Sequence, residues 1–144
     1  MNGSSVLLIE DNPADVLLIR QAFESQGYTE GPDVVGDGEA AVSRLEACAA
    51  GSELTPCLIL LDLNLPKISG HEVLRFIKTE PALKRIPVVI LTSSSATDDV
   101  LACYERYANG YVVKPVTFTE LKATVRTLEN FWFSTAILPN HVLA

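Results

Sequence analysis

Four apolar runs in this chain each end on a residue able to do chemistry. Glu10 and Asp11 close VLLIED, Asp62 closes LILLD, Thr92 closes PVVILT and Lys114 precedes the proline of GYVVKP. Each polar group sits where a strand is expected to end. In an open parallel sheet all strand carboxyl ends point to one edge, so residues some fifty apart in sequence can meet in one crevice. Three carboxylates brought together repel one another, and a hard divalent cation with oxygen ligands relieves that repulsion, Mg²⁺ being the obvious candidate. A carboxylate beside Mg²⁺ and a lysine can receive a phosphoryl group.

The elements that must position these residues alternate along the chain. β-rich runs at 6 to 10, 33 to 35, 57 to 62, 87 to 92 and 110 to 114 are separated by helical segments, which predicts five parallel strands. The first, third and fourth runs are continuously apolar, as strands covered on both faces are, and the short second run belongs at an edge. Helix starts are marked by Asn12 before Pro13, by Ser69 with Glu72 and by Thr117 with Glu120. Val16, Ile19 and Phe23 form the buried stripe of the first helix, Ala41, Leu45 and Cys48 that of the second, and Leu101, Tyr104 and Ala108 that of the fourth. Residues 50 to 56 and 79 to 87 read as loops, the latter with room for one helical turn. The fold class is α/β, a doubly wound sheet.

Composition narrows the partners. At 144 residues and 48% apolar content the chain fits one domain, with no room for a second, effector domain. A net charge of −7 argues against nucleic acid, whose phosphates need Lys and Arg, so the partner is expected to be a protein. Cys48, Cys57 and Cys103 have neither disulfide nor zinc spacing and read as small apolar residues. His71 and His141 have no metal-type ligand near in sequence and read as surface or partly packed. No secretory signal or membrane-length apolar stretch is present, so a cytoplasmic location and no membrane are expected.

Taken together, IEDN, LLDLNLPKISG, ILTSS and GYVVKP resemble the receiver domain of two-component response regulators over about residues 5 to 130, with Glu10 where the family often has an aspartate. The resemblance implies a flavodoxin-like sheet of order 2-1-3-4-5 with five helices. It implies that Asp62 is the phosphoacceptor for a sensor histidine kinase. Mg²⁺ would be bound by Asp11 and Asp62, by Glu10 through a water and by the main-chain carbonyl of Asn64. Lys114 would pair with a phosphoryl oxygen, Thr92 would donate a hydrogen bond to it, and Tyr111 would turn inward, changing the face made by the fourth helix, fifth strand and fifth helix. The Lys114-Pro115 peptide bond would be cis. Pro66, Ser69 and Gly70 would shape the loop after Asp62, leaving Lys67 exposed as a partner contact. Asn64 and Ser94 shield attacking water poorly, which predicts moderate rather than very slow self-dephosphorylation.

From Thr117 onward Phe118, Leu121, Val125, Leu128 and Trp132 keep a helical stripe. The following FWFSTAILP adds Phe131, Phe133, Ile137 and Leu138, too many apolar groups for one domain core. The reading divides the chain into a receiver domain at 1–130 and an apolar extension at 131–144 that makes a homodimer interface, ahead of kinase docking or folding back on its own domain. A tail of this kind resembles response regulators paired with phytochrome-type kinases. Three other functions fit these residues less well. A haloacid dehalogenase-type phosphohydrolase would carry its aspartate on the first strand under a cap, and an interaction module that is never phosphorylated would not need the full residue set. Nucleotide or flavin binding would need glycines where EDNPAD has carboxylates.

Overall fold

The computed structural model describes residues 5–26 and 31–139. Strand periodicity decides its layering. In β1 (Val6–Ile9), Leu7 and Ile9 enter one buried cluster while Val6 and Leu8 enter the other. β3 (Leu58–Leu61) and β4 (Val88–Thr92) divide in the same way, with Ile59, Leu61, Val88 and Ile90 on the first face and Leu58, Leu60, Val89 and Leu91 on the second. All three strands are therefore buried throughout, as their unbroken apolar runs predict.

Helices α2 (Gly38–Ala49), α3 (Gly70–Thr79) and α4 (Thr97–Glu105) cover the first face through Leu45, Val73, Ile77 and Cys103. Helices α1 (Pro13–Gln26) and α5 (Phe118–Asn130) cover the second through Ile19, Phe23, Leu121 and Val125. β2 (Asp33–Val35) and β5 (Gly110–Val113) are the edges of a wholly parallel sheet of order β2-β1-β3-β4-β5. This is the flavodoxin-like, doubly wound arrangement expected. The predicted caps form: Asn12 Oδ1 accepts from Ala14 N, Ser69 Oγ from Glu72 N and Thr117 Oγ1 from Glu120 N. The loop after α3 is clasped by Lys78, whose ammonium donates to Lys84 O, Ile86 O and Asn109 Oδ1.

Three expectations are corrected. In α4, Leu101 and Tyr104 are exposed and the buried residue is Cys103, while Ala108 is buried beyond the helix end. α4 rests mainly on α3 and the edge strand β5, so it needs a narrow line of small side chains, and that line lies on a different face from the one the larger apolar residues suggested. No cis peptide bond occurs among the described residues, so Lys114-Pro115 is trans. Leu138 is not an interface residue: the chain continues from α5 through one π-helical turn (Phe131–Thr135) and then returns, and Leu138 is fully buried among Ile19, Phe23, Leu121 and Val125. Burying that side chain contributes roughly 1.5 to 3 kcal/mol, which outweighs what leaving it exposed for a partner would offer the isolated chain. His141 and residues 140–144 of the extension lie outside the described residues.

Candidate functional site

Three backbone hydrogen bonds assemble the sheet edge. Glu10 N donates to Val35 O at 3.0 Å, Asp62 N to Ile9 O at 3.0 Å and Lys114 N to Thr92 O at 2.7 Å, so each residue that follows a strand stays in register with its neighbour. Glu10 and Asp62 continue the phase of Val6, Leu8, Leu58 and Leu60, towards the face covered by α1. Helix α1 begins there under the Asn12 cap and presents Asp15.

Lys114 is the hub of what results. Its Nζ lies 2.6 Å from Glu10 Oε1, 2.9 Å from Asp15 Oδ2 and 3.1 Å from Asp62 Oδ2. Burial alone would discharge the ammonium, but the surrounding carboxylates win and its pKa is raised. Asp62 is also buried. The nearby Thr92 hydroxyl and the Lys114 charge overcome that desolvation and hold its carboxyl below the ordinary range, and Asn64 N donates to Asp62 Oδ1 at 3.2 Å. Glu10 behaves oppositely: burial, helped by Asp62, pushes it up to about 7 against the pull of Lys114. Glu10, Asp11 and Asp62 each offer an oxygen within 4.8 Å of the others. Three carboxylates contact one ammonium and Asp11 lies beside two of them, which leaves negative charge uncompensated, and an all-oxygen set suits a hard divalent cation.

Thr92 is fully buried, and its Oγ1 makes no hydrogen bond of good geometry among the described residues, although it lies near enough to the Asp62 carboxylate to favour the charged form. A buried hydroxyl costs roughly 1 to 3 kcal/mol when unsatisfied, so this one can turn to a better acceptor at the same place. The loop after β3 is drawn close by Gly70: a Cβ there would lie 2.2 Å from Asp62 O and 2.5 Å from Leu63 Cα, so only glycine fits. Lys67 adopts a left-handed φ of 70° in the same loop and its ammonium lies 3.8 Å from both Asp37 and Glu39. The Asn64 side chain is exposed.

The remaining expected residues are placed as follows. Tyr111 packs partly against the core, its Oη donating to Ser94 O at 2.8 Å, and the Ser94 hydroxyl donates to Asp99. In the tail, Phe131 and Ile137 are exposed, whereas Trp132 and Phe133 lie partly buried against the second cluster. Sequence reasoning missed Asp15 and Asp99. The signal for Asp15 was present, since it lies in the first turn of the helix that starts directly after the Glu10-Asp11 strand end. Asp99 carried no such signal, because its partners come from other elements. Asp62 follows the third strand, not the first, which removes the phosphohydrolase alternative.

Comparison with known proteins agrees with this geometry. Residues 6–126 match the response regulator receiver domain. The chain is 42% identical over 135 residues to the response regulator Rcp1 of Synechocystis sp., covering 93% of this chain and 92% of that one. It is 43% identical over 127 residues to a probable methanogenesis regulatory protein, FilR2, of Methanothrix harundinacea, covering 88% and 82% respectively. The solved Mn²⁺-bound form of Rcp1 superposes with a TM-score of 0.88 at 42% identity, covering 94% of this chain and 99% of that one. The phosphorylated cyanobacterial phytochrome response regulator RcpA has the same score and identity, with 94% and 98% covered. No helix among the described residues is long and apolar enough to cross a membrane.

Proposed function

The chain belongs to the response regulator receiver family, and from that premise we propose that Asp62 is its phosphoacceptor, taking a phosphoryl group from the phosphohistidine of a sensor kinase. The observation that carries this reading is a buried Asp62, held in its charged form, beside the Thr92 hydroxyl and the Lys114 ammonium. A carboxylate oxygen of Asp62 attacks phosphorus as the histidine nitrogen leaves, and the acyl phosphate that forms carries oxygens needing donors. Lys114 is held by Glu10 and Asp15 as well as by Asp62, so it stays in place when Asp62 is phosphorylated and turns to a phosphoryl oxygen. Thr92 donates to another. Glu10, Asp11 and Asp62 with the Asn64 main-chain carbonyl would hold Mg²⁺, which when bound supplies positive charge to the phosphoryl oxygens.

The protein is on this reading a signalling phosphoacceptor of the cytoplasm and not an enzyme acting on a separate substrate. Resemblance to Rcp1 and RcpA supports a phytochrome-type kinase as donor. Exposed Phe131 and Ile137, with the accessible parts of Trp132 and Phe133, support a homodimer. Asn64 is too small to cover the site and the Ser94 hydroxyl is committed to Asp99, which supports moderate self-dephosphorylation. If phosphate release slowed strongly in Asn64→Ala, that last point would fall.

The direct test is intact mass before and after exposure to Mg²⁺ and acetyl phosphate. A labile gain of roughly 80 Da in wild type, absent from Asp62→Asn, is the expected result. No gain, even with candidate kinases, would leave a constitutive interaction module instead.

A further inference from the structure

Beyond the phosphoacceptor lies a second polar chain that the reaction does not use directly. Ser94, two residues after Thr92, donates its hydroxyl to Asp99 Oδ2 at 2.5 Å, and its main-chain oxygen accepts from Tyr111 Oη at 2.8 Å. The other oxygen of Asp99, Oδ1, lies 2.8 Å from Nε2 of His71 at the start of α3. Arg106 Nη1 lies 3.3 Å and Cys103 Sγ 3.9 Å from Nδ1 of the same ring. A guanidinium can only donate, so Nδ1 must accept. With Nδ1 accepting, Nε2 carries a hydrogen and donates to Asp99 Oδ1.

Ser94 bonding to Asp99 and receiving Ala96 N at 3.3 Å would by itself be a helix-start cap for α4, whose cap residue Ala96 has no side-chain hydrogen bond of its own. The arrangement goes further in two respects. Asp99 is gripped from another helix, and Ser94 also anchors Tyr111. Both ends of the chain flank the site: His71 follows Gly70, whose backbone is pressed against Asp62 O, and Ser94 continues the strand end that carries Thr92. The hydrogen bonds from Ser94 and His71 hold the Asp99 carboxyl below the ordinary range, so it acts as a charged acceptor.

We propose that Asp99, clamped between His71 and Ser94, is a positioning residue that fixes the loop after β4 with Tyr111 turned inward, the arrangement in which Thr92 donates to an oxygen of the phosphoryl group on Asp62. The proposal rests on the phosphoacceptor reading and adds to it a device that sets how readily the phosphorylated conformation is reached. Fixing the loop in advance lowers the ordering cost of binding phosphoryl oxygens.

The test uses the full chain and beryllofluoride, a tetrahedral phosphoryl mimic, titrated by calorimetry in saturating Mg²⁺. Asp99→Ala and His71→Leu are expected to weaken affinity by about five- to thirty-fold, the strength of a charge-assisted hydrogen bond discounted for partial exposure. His71→Gln keeps an N–H able to reach Asp99 and should recover most of the loss, and the affinity for Mg²⁺ alone should stay within about two-fold. A general structural defect would lower Mg²⁺ and beryllofluoride affinity together and would show no rescue by glutamine. If Asp99→Ala gains the phosphoryl mass on Asp62 and binds beryllofluoride as wild type does, or if His71→Gln is no better than His71→Leu, the clamp is refuted while the phosphoacceptor reading stands. If wild type neither gains the mass nor binds beryllofluoride, both fall.

Discussion

Replacing Lys114 by methionine would remove the single ammonium shared by Glu10, Asp15 and Asp62 and keep most of its apolar stem. With contacts of 2.6, 2.9 and 3.1 Å, each pair is worth roughly 5 to 6 kcal/mol of attraction at an effective dielectric near 20, before the cost of taking the charges out of water is subtracted. Deleting one member of a buried ion pair destabilises by about 3 to 5 kcal/mol, because the partners keep their desolvation cost. Glu10 can escape by taking a proton. Its pKa is already raised to about 7 in the folded state, and for an acid raised on folding the stability present at low pH is lost as pH rises towards the folded value. Without Lys114 that pKa rises further, so Lys114→Met goes on losing stability at pH values where wild type has levelled off. Urea denaturation should show a deficit of about 3 to 5 kcal/mol at pH 8 that narrows at pH 5. Added Mg²⁺ should stabilise the variant more than wild type, since no ammonium competes for the carboxylates, by about 1.4 kcal/mol for each ten-fold gain in affinity. A deficit below about 1 kcal/mol at pH 8, or one that does not change between pH 5 and 8, would refute the view of Lys114 as the charge hub.

Other expectations follow from single contacts. Leu138→Ala should cost about 2 to 4 kcal/mol in urea denaturation, as a core leucine does; a cost within 0.5 kcal/mol of zero, typical of a surface site, would mean that the tail does not dock. Glu129 on α5 is fully buried, and neither of its oxygens has a hydrogen-bond partner among the described residues. Burial pushes its pKa from 4.5 up to about 7 against Arg126, a penalty of roughly 3 kcal/mol that is absent below pH 4.5 and complete above pH 7. Glu129→Gln should therefore be more stable than wild type at pH 8 and lose that advantage by pH 4, and equal pH profiles from thermal melts would contradict it. Gly70→Ala should destabilise by about 1 to 3 kcal/mol and slow labelling by acetyl phosphate, because the new methyl must displace the Asp62 backbone; unchanged labelling would show that the loop yields elsewhere.

The strands were legible because a buried parallel strand needs an unbroken apolar run, and the residue after each run becomes a site residue wherever the sheet is doubly wound. Glu10, Asp62, Thr92 and Lys114 could thus be grouped from their positions alone, and the caps at Asn12, Ser69 and Thr117 from local hydrogen-bond chemistry. Helix α4 was misread because amphipathic spacing tells which residues share a face and not which face a lightly covered edge strand will accept; Leu101 and Tyr104 share a face, but the exposed one. The tail was misread for a related reason. Counting its apolar residues could not reveal that a π-helical turn would rotate the chain so that Leu138 returns to the core while Phe131 and Ile137 stay outside.

By itself the sequence determined the alternation of strands and helices, the edge on which the acidic residues, the threonine and the lysine collect, and the family that uses them. These depend on periodicity and on chemistry local to a strand end. Only the tertiary structure decided that Asp15 joins Lys114, that the Thr92 hydroxyl is buried beside Asp62 with no hydrogen bond of good geometry among the described residues, and that Asp99 links His71 to Ser94. Those facts depend on distances between elements far apart in the chain, which are set by how helices pack on the sheet and which no local pattern encodes.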